Sequence, residues 1–162
     1  MTILGIDPGY DRLGWAICKI TGPNLSVIKY GCVQTNKKAT IFERYNQIIE
    51  ELSTVIKQYK PQELAIENLY FSKNTKTALR VSESKGVVIT LAIQQKMTIY
   101  EYDPVTIKQA VTGFGKADKK AVEKMTLMQL KLTNNDEVID DAIDALAVAV
   151  THYASRNIRK FG

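Results

Sequence analysis

Three carboxylates interrupt stretches that are otherwise apolar: Asp7 after Ile3-Leu4-Gly5-Ile6, Glu67 after Leu64-Ala65-Ile66, and Asp144 inside the run from Ala142 to Val150. The apolar frames place each in or beside a buried element. An ionised carboxylate taken out of water without a partner is strongly disfavoured, so the fold must supply hydrogen bonds, cations or a metal at all three. One shared divalent ion would satisfy them together.

The chain has 162 residues, the length of one ordinary domain, long enough to bury roughly 70% of the surface exposed by its unfolded form. With 45% hydrophobic and 24% charged residues it is not a disordered chain. No apolar run approaches membrane-spanning length, and the opening Thr2-Ile3-Leu4-Gly5-Ile6 lacks the basic and then apolar regions of a signal peptide, so a cytoplasmic protein is expected. Cys18 and Cys32 fall in strand-like segments without C-x-x-C spacing and are read as reduced core residues. A formal charge of +5 favours a polyanionic partner. Buried acids inside a basic chain point to a site where metal ions bridge carboxylates to phosphates.

The local pattern predicts strands over Thr2–Asp7, Trp15–Ile20 and Leu25–Gln34, the last two joined through Gly22-Pro23-Asn24 in an antiparallel meander. Apolar residues at helical spacing from Ile41 to about Tyr59 predict a long helix stopped by Pro61, followed by a strand over Glu63–Leu69. A second long helix is expected over Asn74–Gln95, with Gly86 as a mark of close packing, then a strand over Met97–Tyr102 and a short helix over Val105–Val111. Gly113-Phe114-Gly115 reads as flexible, Asp118 as the cap of a helix running to about Leu132, and Asp136 to about Ser155 as the last helix, leaving a loose tail over about 156–162. A meander followed by alternating helices and strands implies an α/β fold, a mixed five-stranded sheet flanked by helices in a single domain.

On the last helix, 100° per residue places Ile139, Ala142, Ile143, Leu146, Ala149, Val150 and Tyr153 in one core stripe, with Asp141 and Asp144 opposite it and Asp140 to the side. Residues three apart on a helix have Cβ atoms about 5–6 Å from each other, so both carboxylates can approach one cation or one phosphate. Either acid alone also fits a solvated helix start. Taken with Asp7 and Glu67, the apolar frames favour a metal site. Carboxylate oxygens suit Mg²⁺, and the absence of a His or Cys cluster argues against structural zinc.

These residues resemble a known family. Ile3-Leu4-Gly5-Ile6-Asp7-Pro8-Gly9, Ile66-Glu67-Asn68-Leu69-Tyr70-Phe71 and Asp141-Ala142-Ile143-Asp144-Ala145-Leu146-Ala147 look like the RuvC family of bacterial Holliday-junction resolvases, in order, spacing and total length. The resemblance spans essentially the whole chain and also takes in the segment from Gly113 to Lys120. It implies a ribonuclease H-like fold with Asp7, Glu67, Asp141 and Asp144 as catalytic acids and metal ligands, and two Mg²⁺ ions per site, with Mn²⁺ as a substitute. It also implies a homodimer nicking two strands of a four-way DNA junction in recombination and repair, served by a junction-migrating motor of RuvA and RuvB. Some relatives carry His at the position of Asp141, which bears on the choice of metal.

Basic residues supply the DNA-contact candidates. Lys116, Lys119 and Lys120 lie where a glycine-containing loop enters a helix, with Lys108 upstream; a solvated helix start is the plain alternative, and the resemblance points to Lys108 and Lys119. Tyr70 and Phe71 follow Glu67, and Lys73, Lys76 and Arg80 come soon after, so one aromatic is expected to pack and the other to stack on an unpaired base. His152, eight residues past Asp144, is too far along the helix to share a ligand shell and reads as a surface or capping residue. The reading is a Mg²⁺-dependent junction endonuclease leaving 5′-phosphates. An RNA-processing nuclease and a non-catalytic junction binder are the rivals that cleavage assays separate.

Overall fold

The computed structural model describes residues 1–69, 75–132 and 140–161, with backbone alone at 75, 76 and 157–161. Its strands are β1 (Thr2–Asp7), β2 (Arg12–Thr21), β3 (Asn24–Gln34), β4 (Glu63–Glu67) and β5 (Thr98–Tyr102), in spatial order β3-β2-β1-β4-β5. The first three form the antiparallel meander that the sequence suggests, with Gly22 at φ 58° in the turn. β4 runs parallel to β1, and β5 parallel to β4. The helices are α1 (Ile41–Tyr59), α2 (Thr75–Gln94), α3 (Pro104–Thr112), α4 (Lys119–Gln129) and α5 (Asp140–Phe161).

Side-chain alternation sorts the sheet into two faces. Leu4, Ile6, Leu13, Ile17, Leu64 and Ile66 pack with Ile48, Leu52 and Ile56 of α1 and Val88 and Leu91 of α2. Ile3, Ala16, Cys18 and Ala65 point the other way, toward α3, α4 and α5. By the same period Asp7 lies on the α5 face with Ile3, and Glu67 lies there with Ala65. Thr40 and Glu43 close a reciprocal capping box at the start of α1, and the carboxylate of Asp118 accepts from the Ala121 N–H at 2.7 Å to start α4.

Helix α5 departs from expectation in its length and in the place of His152. Ala142, Ile143, Ala145, Leu146, Ala147, Val148, Ala149 and Val150 are all buried, so the helix is enclosed on nearly every side between the sheet and α3 and α4, including the face that Ala145 and Val148 share with Asp141 and Asp144. It continues through Phe161, where the sequence pattern ends it near Ser155. His152 is not a surface residue either. It is 1% exposed, with Nδ1 2.7 Å from the Tyr102 hydroxyl and Nε2 2.7 Å from Glu63, whose carboxylate also receives Arg156 at 2.9 Å. Burial works to raise the Glu63 carboxyl, yet the bonds from Arg156 and His152 carry it below the usual carboxylate range.

Gly113 caps α3 at φ 78°, and Gln109 and Thr112 bond into the following turn, giving that segment a defined form rather than a loose one. Gly86 faces outward with no neighbour within 4 Å of an added Cβ, so it marks no close packing. Close packing lies instead at Gly5 and Gly14. A Cβ on Gly5 would stand 2.5 Å from the Ala145 carbonyl oxygen, and one on Gly14 would stand 1.8 Å from that of Asp141. Both are backbone atoms, so α5 would have to move. Gly14→Ala is therefore expected to cost about 1–3 kcal/mol, as overpacking does. In scanning calorimetry each kcal/mol should appear as a fall in Tm of roughly 2–4 °C; an unchanged Tm would contradict this packing.

Candidate active site

Register brings the acids to one end of the sheet. Ile6 pairs with Ile66, so Asp7 and Glu67 end neighbouring parallel strands side by side. Asp7 is opposite Gly14 on its other flank, and Gly14 is the residue that lets the first turn of α5 reach the sheet. Asp141 and Asp144 thus descend onto the strand ends from above, while Asp140 is exposed at the helix start.

The chain around these acids is pinned. The turn after β1 is held from three sides: Ser84 of α2 donates to the Gly9 carbonyl at 2.8 Å, Thr35 donates to that of Tyr10 at 2.6 Å, and Arg44 donates to the same carbonyl at 3.0 Å. The segment after β4 is held by Lys85, which donates to the Asn68 side-chain oxygen at 2.8 Å and pairs with Glu101 at 2.5 Å. Neighbouring residues of α2 therefore brace the chain beyond both strand acids. Neither Ser84 nor Lys85 stands out in the sequence, because a Ser-Lys pair within a helix reads as ordinary surface.

Electrostatics mark the cluster. Burial, followed by the charges of Glu67 and Asp144, pushes the Asp7 carboxyl up to about 8, and Asp7 shares a hydrogen bond with Glu67. Burial also raises Glu67, against the favourable effects of the Asp7 hydrogen bond and of Lys108 and Lys119. Asp144 is raised by burial despite the Lys119 ammonium 2.9 Å from its Oδ2. Asp141 pairs with Arg12, Nε to Oδ2 2.6 Å. Cys32 Sγ lies 3.9 Å from that oxygen, so Cys32 borders the site, whereas Cys18 is a core residue; both are free thiols.

A cavity of about 280 Å³ opens beside the acids, lined by Glu67, Asp144, Lys108 and Lys119 over a floor of Pro104, Ile107, Val122 and Ala147. A larger hollow of about 640 Å³ along α4 touches Lys120 and Met128 but none of the four acids. Lys116 and Lys120 are exposed, and neither lines the cavity beside the acids. Arg80 pairs with Glu83 at 2.8 Å on the outer surface of α2. Tyr70, Phe71 and Lys73 lie outside the described residues, as does the side chain of Lys76.

A model of the family described as crossover junction endodeoxyribonuclease RuvC matches residues 3–152. The chain belongs to the RuvC family. Among relatives, the family member of Pseudothermotoga lettingae is 43% identical over 160 residues, covering 99% of this chain and 98% of the relative. That of Alkaliphilus metalliredigens is 44% identical over 152 residues, 94% of this chain and 92% of the relative. The structure of T. thermophilus RuvC in complex with a Holliday junction superposes with a TM-score of 0.90 at 28% identity, covering 98% of this chain and 96% of that one. The yeast mitochondrial resolvase Ydc2 shares the fold, at a TM-score of 0.69 and 15% identity. The fold is thus the ribonuclease H-like one the family implies.

All-oxygen donors, two of them at strand ends and crowded enough to hold Asp7 protonated, fit a hard divalent cation. No three carboxylates among the described residues close around one point, and Arg12 and Lys119 engage the two helix acids.

The raised carboxyls carry a stability signature. A carboxyl with a folded value near 8 binds more protons in the folded state than in the unfolded one throughout the interval above its ordinary value. Its contribution is complete in acid and is lost as pH rises through the folded value; Glu67 and Asp144, also raised, act in the same sense. In chelator-treated buffer, Tm should fall between about pH 5 and pH 8, and Asp7→Asn should flatten the fall and exceed the parent at the alkaline end. A parent Tm that rises over this interval would refute the assignment.

Proposed function

We propose that this chain is a structure-specific endonuclease that resolves four-way DNA junctions by hydrolysing phosphodiester bonds at the Asp7, Glu67, Asp141 and Asp144 site. The observation carrying this reading is the meeting of strand-end acids with helix acids beneath a rim of lysines, in a chain of net charge +5 that belongs to the RuvC family.

Divalent cations, two Mg²⁺ ions in the fullest reading, would be held by Asp7, Glu67, Asp141 and Asp144 and would supply an acidified water and charge stabilisation at the leaving 3′ oxygen. The chain's own residues do the rest. Glu67 takes a hydrogen bond from Asp7 in the free protein, so the pair stores a proton that must leave when a cation binds. Lys108 and Lys119 stand at the cavity mouth beside Glu67 and Asp144, where their ammonium groups would receive the phosphate oxygens flanking the cut. The apolar floor of Ile107, Val122 and Ala147 limits water on that side. Lys116 and Lys120 extend the positive rim for backbone contacts farther along the duplex, and Tyr70, Phe71, Lys73, Lys76 and Arg80 remain candidates for the strand leaving the branch point.

A junction has approximate two-fold symmetry and needs paired nicks, so the working unit is a homodimer with one site per chain. RuvA and RuvB are the expected partners on the junction.

Asp7→Asn should bind a synthetic junction as well as the parent in metal-free gel shifts, yet nick it in Mg²⁺ about 10²–10³-fold more slowly, the scale of losing a charge-stabilising group. On a supercoil-extruded cruciform, a heterodimer of parent and Asp7→Asn chains should give nicked circles where the parent gives linear DNA. Near-parental nicking, or mostly linear product from the heterodimer, would sink the proposal, and preferential cutting of an RNA–DNA hybrid would favour the RNA-processing reading. Replacing Lys116, Lys119 and Lys120 by Ala should reduce the log–log salt slope of junction binding by about 0.9 for each phosphate no longer neutralised, with little change in sequence preference. An unchanged slope would return these lysines to ordinary surface.

A further inference from the structure

Arg12 opens β2 two residues before Gly14, so it lies on the sheet face that α5 covers. Its Nε is 2.6 Å from Asp141 Oδ2, with side chains 46% and 25% exposed. On the far side of the cluster Lys119 engages Asp144 in the same way. In the free chain the helix acids are therefore already paired, and the cluster is not arranged as an open cage.

A guanidinium does not lose its proton in a protein, so this pair ends only by exchange of partners. Exposed ion pairs are weak, which makes the exchange easy. Duplex DNA brings a dense row of phosphates that draws arginine strongly. We propose that Arg12 is a built-in counter-ion that occupies Asp141 in the free chain and passes to a DNA phosphate on junction binding, so that metal loads more readily on the bound enzyme than on the free one. This rests on the reading of Asp141 as a metal ligand. Arg12 is then a positioning residue: a cation at Asp141 opposes a second cation there, and phosphate removes that opposition. Coupling is reciprocal, so metal tightens junction binding by the same factor.

Calorimetric titration of the full chain with Mn²⁺ alone tests the first half. Arg12→Gln should bind Mn²⁺ about 2- to 5-fold more tightly than the parent, the range of an exposed pair, while Arg12→Lys, which keeps the charge, should stay near the parent. The second half is read from junction gel shifts in metal-free buffer, where Arg12→Gln should lower the log–log salt slope by about 0.9. Unchanged or weaker Mn²⁺ binding by Arg12→Gln overturns the counter-ion role, and an unchanged salt slope overturns the transfer to phosphate. If the parent shows no Mn²⁺ binding that Asp7→Asn removes, the metal-site reading itself fails, an outcome distinct from the other two.

Discussion

Everything in this fold is arranged around the cost of placing several carboxylates at one end of a sheet. Like charges in a partly desolvated pocket raise one another's proton affinity, and Asp7, the most buried of the group, is held near 8 by burial and by its neighbours. The free chain lowers that cost in two ways. Asp7 shares a proton with Glu67, and Arg12 and Lys119 stand against Asp141 and Asp144. A cluster that the protein can only partly neutralise is suited to taking up external cations.

Holding the acids together depends on the placement of α5, which is fixed at both ends. Near the site, Gly5 and Gly14 let its backbone lie against β1 and β2 at distances that any side chain would forbid. At the other end His152 and Arg156 meet Glu63. Four strand residues separate Glu63 from Glu67, about 13 Å, and eight helix residues separate Asp144 from His152, about 12 Å. The helix thus runs antiparallel to β4 with matching acid contacts at each end, and the buried clamp at Glu63 sets the register in which Asp144 faces Glu67.

Much of this was legible in the sequence. Period-two and helical spacing located the five strands and five helices of the described residues, because Pro and Gly punctuate the chain at Pro8-Gly9, Gly22-Pro23 and Pro61. The four acids stood out because a charge in an apolar frame demands a reason. Residues whose role depends on a distant partner were not legible. His152 looked superficial because its partner Glu63 reads as a strand-edge acid, although the matched 12 and 13 Å spans were available as a signal. Arg12 gave no signal either: a lone arginine at a strand start becomes meaningful only when Gly14 brings Asp141 over it. The burial of the acid-bearing face of α5 was legible too, since Ala145 and Val148 share that face with Asp141 and Asp144 and make it largely apolar, and both are buried.

The basic balance of the chain and its acidic centre are therefore parts of one device. A site rich in carboxylates repels DNA phosphate, and a rim rich in lysine and arginine attracts it, so the proposed chemistry at the acids requires the two to stay in contact. Here the contact is direct, since Lys108 and Lys119 line the same cavity as Glu67 and Asp144, and Arg12 sits on Asp141. Under the proposed function, the cations nearest the acids are those an arriving phosphate would engage. Charge that offsets the acids thus lies on side chains at the cavity itself, where the proposed exchange with phosphate asks for a change of partner and no movement of the sheet.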